Sequence, residues 1–460
     1  MTFTLHGHES YSPHPVQRLG LGLICVHFAL TIFTSAALGQ NLPMAPHAQV
    51  TDITPKPGWF TEPSIAINAH NPQQVVAAYQ DNAHIAYSLD EGKHWETAVG
   101  TEPPNYRVSG DVSVTYDKHG HAILCYMAFD KLGTFNYWAH NGTRNGLFVR
   151  RSLDGGKTWE SEDIAIIKHE TESGIPWEDK PYIVADDSTG PNAGNLYVGW
   201  TRWTIEDSQI LLSRSIDDGR TWSAPIEIDK QRGLPRDDNG AAEGFSGVVG
   251  PDGMLYTVWA LNNHIVFASS SDGGLNFSTP QDIILVAPIM FHVDDVARAN
   301  GFPVIAMDPR HSHLYLSWSD YRNGEVDVFC STSADRGHTW TEAVRVNSDS
   351  IHNGADHFFH WLAVDPTTGA ANVIFYDRRD DPGNRRAKVV LARSTDGGKT
   401  FANYAWSENP FDPGGIFMGD YTGIAAQDGR VYGVWTEKPL NPKSRDTIVR
   451  VGIADFSGSK

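Results

Sequence analysis

The sequence predicts an all-β fold, a propeller of four-stranded blades, on three observations. An octet of pattern S-x-D-x-G-x-[TNH]-[WF] recurs six times, its starts 64, 63, 55, 63 and 61 residues apart. Short apolar strands stand in the same order around every copy. The 460 residues include 43 Gly and 14 Trp, which supply many turns and many aromatic anchors.

The octets run from Ser88 to Trp95, Ser152 to Trp159, Ser215 to Trp222, Ser270 to Phe277, Ser333 to Trp340 and Ser394 to Phe401. Their chemistry is that of a tight turn. Ser and Asp side chains bond back to turn amides, and Gly supplies a positive φ. The closing aromatic is expected in the core of its own unit. The octet aspartates are therefore hairpin stabilisers, not catalytic candidates.

Each octet follows an apolar strand, as in HIAYS (84–88) and KVVLARS (388–394). Another strand precedes that one, as in VVAAYQ (75–80) and ANVIFYDRR (371–379). A third set comes earlier still: PSIAIN, DVSVTYD, PYIVAD, FSGVVG, FPVIAMD, WLAVD. A fourth strand is expected after each octet, as in WSAPIEID (222–229) and WTEAVRVN (340–347). A further unit without an octet closes the chain: YTGIAAQDG, RVYGVWTE, TIVRVGIADF. The turn after the innermost strand moves from Asn68 to Asp428, 360 residues in six steps of 60. That arithmetic gives seven blades, six being the alternative if a terminal unit is degenerate. HAQVTDI (47–53) is expected to supply the missing outer strand and close the ring.

Residues 1–39 read as a secretory leader: Arg18, a mostly apolar run from Leu19 to Ala37, then small residues at Ala37-Leu38-Gly39. The expectation is an exported or periplasmic chain with one propeller domain over 40–460, a monomer without a membrane span. Cys125 and Cys330 read as buried strand residues, and there is no CxxC or zinc spacing. A formal net charge of -19 argues against a nucleic-acid partner, whose phosphates demand clustered Lys and Arg. No cofactor is expected. Calcium at acidic loops such as 376–381 is one metal reading, against a solvated charged turn. His311-x-His313 and His357-x-x-His360 are spaced as twenty histidines allow by chance.

In such a ring the octets occupy one face. Function belongs to the other, where blades link and second strands turn into third. Charged groups gather there at the entry to each innermost strand: Glu62; Arg107 and Asp111; Glu178, Asp179 and Lys180; Glu243; Arg298 and Asn300; Asp356, His357 and His360; Asp420 and Tyr421. The loops around 318–327 and 376–386 add Arg322, Arg378 and Arg379. The alternative is that these groups bond between blades and plug the axis. The long loop 129–146, with Tyr137 and Trp138, reads either as a sugar-stacking lid or as a self-packed loop.

The octet resembles the Asp-box, or bacterial neuraminidase repeat, of the sialidase superfamily, over about residues 47–456. The resemblance implies an exo-α-sialidase-like glycoside hydrolase acting on glycans. Its site would hold an arginine triad on the sugar carboxylate, a Tyr nucleophile activated by Glu, and an Asp acid/base. A compatible chain order is Arg107; Asp111 or Asp179; Glu243; Arg298; Arg322 or Arg378; and Tyr421, with Arg379 and Asp420 as further substrate contacts. The sequence departs from the family in lacking its Arg-Ile-Pro motif; the first strand entry reads TEPSIAIN, with Glu62 there. Seven blades also depart from the six of sialidases. Asp-boxes occur in non-enzymatic proteins too, so a glycan- or protein-binding propeller is the alternative.

Overall fold

The computed structural model describes residues 42–102, 105–134, 138–170, 176–286, 288–407, 409–440 and 445–458. The expected leader and Tyr137 lie outside the described residues. Seven four-stranded antiparallel sheets form a ring of blades. The innermost strands are Thr61–Ile67, Val108–Tyr116, Trp177–Ala185, Glu243–Val249, Val304–Asp308, His357–Val364 and Gly423–Gln427. Each contacts its neighbours around the axis.

Gln49–Asp52 pairs with Ile448–Asp455 and supplies the outer strand of blade 7, joining the two ends of the described chain in one sheet. Several other outer strands are shorter than the sequence suggests. Blade 3 keeps Ile226–Glu227 and blade 5 keeps Val344–Arg345. A short edge leaves few unpaired N–H and C=O groups to recruit another chain.

The core lies in the seams between sheets. Ile123 and Cys125 of blade 2 pack with Leu196, Val198 and Trp200 of blade 3. Val75 and Tyr79 of blade 1 pack with Tyr432, Val434 and Val449 of blade 7. Side-chain hydroxyls near the inner-strand entries stitch the seams: Ser64 Oγ accepts from Val114 N at 3.1 Å, and Ser113 Oγ from Ile183 N at 3.1 Å.

The octets behave as turns. In the third, Asp217 Oδ1 accepts from Thr221 N at 2.9 Å and from Ser215 Oγ at 2.8 Å. Gly219 N donates to Ser215 Oγ at 2.9 Å, with Gly219 at φ +81. The closing aromatics depart from expectation. They enter the seam with the preceding blade instead of the core of their own unit. Trp222 packs against the cluster shared by blades 2 and 3, and Trp95 against that shared by blades 1 and 7. A large ring there adds contact area between adjacent sheets.

A candidate active site at the axial mouth

Five inner strands enter the ring through a β-bulge, at Thr61/Ser64, Gly110/Val112, Asp179/Tyr182, Glu243/Ser246 and Phe358/Trp361. Within them Glu62, Asp111, Lys180 and Phe359 take positive φ, as does Gly244. A bulge inserts an extra residue and re-aims a side chain. Four of the blades therefore deliver an acidic or basic residue to the mouth at this point.

Asp420 stands at the centre of the resulting cluster. Arg298 grips it with Nε to Oδ1 and Nη2 to Oδ2, both at 2.6 Å. Lys180 Nζ is ion-paired to the same carboxylate. Asp420 N donates to Glu62 Oε1 at 3.0 Å, and Asn300 Nδ2 to Asp420 O at 3.1 Å. Arg298 spends Nη1 on Asp237 Oδ2 at 3.1 Å. It immediately precedes the second strand of a two-stranded ribbon, Met290–Phe291 with Ala299–Asn300, that the sequence pattern did not reveal.

Gln80 ties blade 1 to blade 2. Its amide nitrogen donates to Thr61 Oγ1 at 2.8 Å and to Glu62 Oε2, and its oxygen accepts from Asp111 N at 3.1 Å. Asp111 Oδ2 accepts from Lys180 N at 3.2 Å, and Tyr421 OH lies 3.4 Å from Asp111 Oδ1. Asp179 accepts from Trp203 Nε1 at 2.9 Å. Glu243 is different. Its carboxyl is buried, Oε1 lies 3.7 Å from Lys180 Nζ, and neither oxygen has a hydrogen-bond partner among the described residues.

These surroundings drive the acids apart. Burial raises the Glu62, Asp179 and Glu243 carboxyls well above the ordinary range; Asp111 adds to this at Glu62 and Asp179, and Asp237 at Glu243. Burial would also raise Asp111, but Lys180 and the hydrogen bonds of Glu62 and Asp179 outweigh it and hold Asp111 below its usual value. At Asp420 burial is likewise overcome, by Arg298 and Lys180, and its carboxyl falls to about 2. Burial and then Asp111 push the Tyr421 hydroxyl far up. Carboxyls pushed up and carboxyls held down thus stand side by side, the condition for acid and base roles in one site.

The candidate residues divide. Asp111, Asp179, Glu243, Arg298, Asp420 and Tyr421 come together at the mouth. Arg107 does not: it is exposed, beside Asp130. Arg322 folds back on Asp320, with Nε to Oδ1 at 2.8 Å, under Phe329. Arg378 is buried and donates to the carbonyls of Asn384 and Asp294 at 2.7 and 2.8 Å. Arg379 joins a separate ionic network with Asp377, Asn403 and Ser348. Arg298, Arg322 and Arg378 share no carboxylate, so the expected triad does not converge. Tyr421 meets Asp111 where Glu243 was expected. Asp420 holds protein cations where a substrate contact was expected. Gln80 and Asp237 were missed, since neither sits at a strand entry. Glu62 and Lys180 were read as entry residues but given no role.

Below the mouth an axial cavity of about 340 Å³ is lined by residues of all seven inner strands, Lys180 among them, and by Asp420 and Tyr421 just before the last of these strands. His360 lines it too, with Nδ1 2.9 Å from Ser319 Oγ, and burial lowers its imidazole to about 4. Trp138 packs against the seam of blades 2 and 3. In the acidic turn weighed for calcium, Asp377 holds Arg379, Asp380 holds Lys388, and Asp381 accepts from the amides of Arg385 and Arg386.

No family model matches the chain. It is 28% identical over 281 residues to a sialidase of Bacteroides fragilis, covering 55% of this chain and 47% of that protein. The chain thus spans about half the length of the curated relative it matches. Among solved structures, the Hadza microbial sialidase Hz136 aligns with 16% identity and a TM-score of 0.48, over 83% of this chain and 73% of that one. An α-L-arabinofuranosidase of Fusarium graminearum aligns with 14% identity and a TM-score of 0.49, over 77% and 96%. The chain is a seven-bladed β-propeller that is similar, over about half its length, to a curated sialidase.

Proposed function

We propose that the chain is an exported glycoside hydrolase of the sialidase-like type, monomeric, acting on glycans at the axial mouth. Its octets are the Asp-boxes of that superfamily and serve as scaffold on the opposite face. Export rests on the leader pattern in residues 1–39.

The observation that carries the proposal is Glu243, a buried carboxyl with no hydrogen-bond partner among the described residues, which burial and Asp237 push well above the ordinary carboxyl range. A carboxylic acid raised in this way is suited to protonate a leaving glycosidic oxygen. The ionised Asp111 beside the Tyr421 hydroxyl supplies the complementary half. As Tyr421 Oη bonds to the anomeric carbon, its proton passes to Asp111. The bond to the leaving oxygen breaks as Glu243 gives up its proton. Water then attacks the anomeric carbon and passes a proton to Glu243 as the bond to Tyr421 Oη breaks, and that oxygen takes its proton back from Asp111. A tyrosine nucleophile is a known exception to the two-carboxylate scheme.

The test is turnover of a fluorogenic panel of sialosides, uronides and neutral glycosides by the purified chain. Hydrolysis of any member that falls at least a hundredfold in Glu243→Gln supports the assignment. A second reading, a non-catalytic glycan-binding face, is favoured by one observation. Phe417 is exposed at the mouth, and the Arg298 guanidinium lies 5.4 Å from its ring centroid, leaving an aromatic surface for a sugar. Binding on a glycan array without turnover of any panel member would establish that reading instead.

A further inference from the structure

We propose that Asp420 sets the substrate class of the mouth. By filling the Lys180–Arg298 cation pair with the chain's own carboxylate, it excludes sugars that carry a carboxylate and admits uncharged glycosides. This rests on the mouth being the sugar site, as proposed above.

Arginine binds a carboxylate best through two parallel N–H···O bonds, and that is the bond Arg298 makes to Asp420. The third direction of the guanidinium is committed to Asp237. Lys180 spends its charge on the same Asp420 carboxylate, whose side chain is 2% exposed. Among the described residues, both cations are ion-paired to the chain's own carboxylates.

Asp420 is also held in place along its backbone. Its N–H is bonded to Glu62 and its carbonyl to Asn300. Gly419 before it has φ +83, and a Cβ there would come within 2.3 Å of Glu62 Cγ. Withdrawing the carboxylate would deprive two largely buried cations of the partner they share. An entering sugar carboxylate would meet the Asp111 and Asp420 carboxylates, both held in the ionised form, around a cation pair already neutralised. Like charges at such distances, shielded from water, repel strongly. The hydroxyls of an uncharged sugar carry no such penalty and can donate to the unpartnered Glu243 oxygens.

The experiment is a binding comparison on the purified chain, wild type against Asp420→Ala. Thermal unfolding and titration calorimetry are run with acetate, N-acetylneuraminate and glucuronate, beside acetamide and methyl galactoside. The expected result is that carboxylates raise the melting temperature of Asp420→Ala and bind it at least tenfold more tightly than wild type. Acetamide should not reproduce the effect. Should the alanine variant not fold, Asp420→Asn keeps the shape, removes the charge and carries the same comparison. Wild type binding either sugar acid as tightly as the variant would overturn the proposal, as would a variant that gains nothing from carboxylates. The readout is binding, so absent turnover with this pattern retained counts against the hydrolase reading alone.

Discussion

Tyr182 of blade 3 and Trp361 of blade 6 meet across the ring axis, their ring centroids 5.8 Å apart. Trp361 also packs against Tyr421, at 5.6 Å. Residues far apart around the ring are in contact, so these rings obstruct the axial cavity just below the acidic mouth. Large aromatics from opposing strands fill a space that aliphatic residues of seven strands cannot close.

Trp361→Ala removes this plug. The expected cost is about 3 kcal/mol of stability, the low end for truncating a large aromatic, because Trp361 is half-buried. Denaturant unfolding should show a lower midpoint with an unchanged slope. A small apolar probe such as xenon should stabilise the variant and not the wild type.

The octet turns should act on stability and not on the mouth. Asp217→Ala deletes the bonds to Thr221 N, Thr221 Oγ1 and Ser215 Oγ. Hydrogen bonds to a charged acceptor are worth about 1.5–3 kcal/mol each, less where water can substitute, so a net loss of about 2 kcal/mol is expected. Glycan binding or turnover per folded molecule should be unchanged, which a melting curve and a titration together can check.

His357 should give the fold an alkaline weakness. It is buried among Asp349, Asp377 and Asp327, its Nε2 3.3 Å from Asp349 and 3.5 Å from Asp377. Burial alone would lower its imidazole, but Asp377 and Asp349 outweigh burial and raise it. The folded state therefore holds a proton that the unfolded chain releases near pH 6.5. This contribution is complete below about pH 6.5 and is lost as pH rises through the raised folded value, with a slope of up to about 1.4 kcal/mol per pH unit. Stability measured from pH 6 to 9 should fall along that line, and His357→Asn should flatten it.

Glu243 should govern the alkaline limb of any pH–rate profile. With its carboxyl raised well above the ordinary range by burial and Asp237, the protonated acid persists to higher pH than an ordinary carboxyl would, and activity should decline as pH climbs through that folded value. In Glu243→Gln, kcat should drop by about a hundredfold to ten-thousandfold and the alkaline limb should vanish. A substrate with an activated leaving group, which needs no proton, should be spared most of the loss.

The period and order of strands, the face that carries the octets and the bonds inside each octet were legible in the sequence, because they are local. Each octet closes its hydrogen bonds within eight residues, and each strand declares itself by a short apolar run between turn signals. The ionic partners at the mouth were not legible. Asp420 meets Lys180 from 240 residues away and Arg298 from 122. Arg322 looked equivalent to Arg298 but is consumed by Asp320, two residues back. The sequence by itself determined the blades and placed a polar belt at their entries. Only the tertiary structure decided which of those charges meet, because closing the ring brings distant entries to one axis and the bulges set where each side chain points.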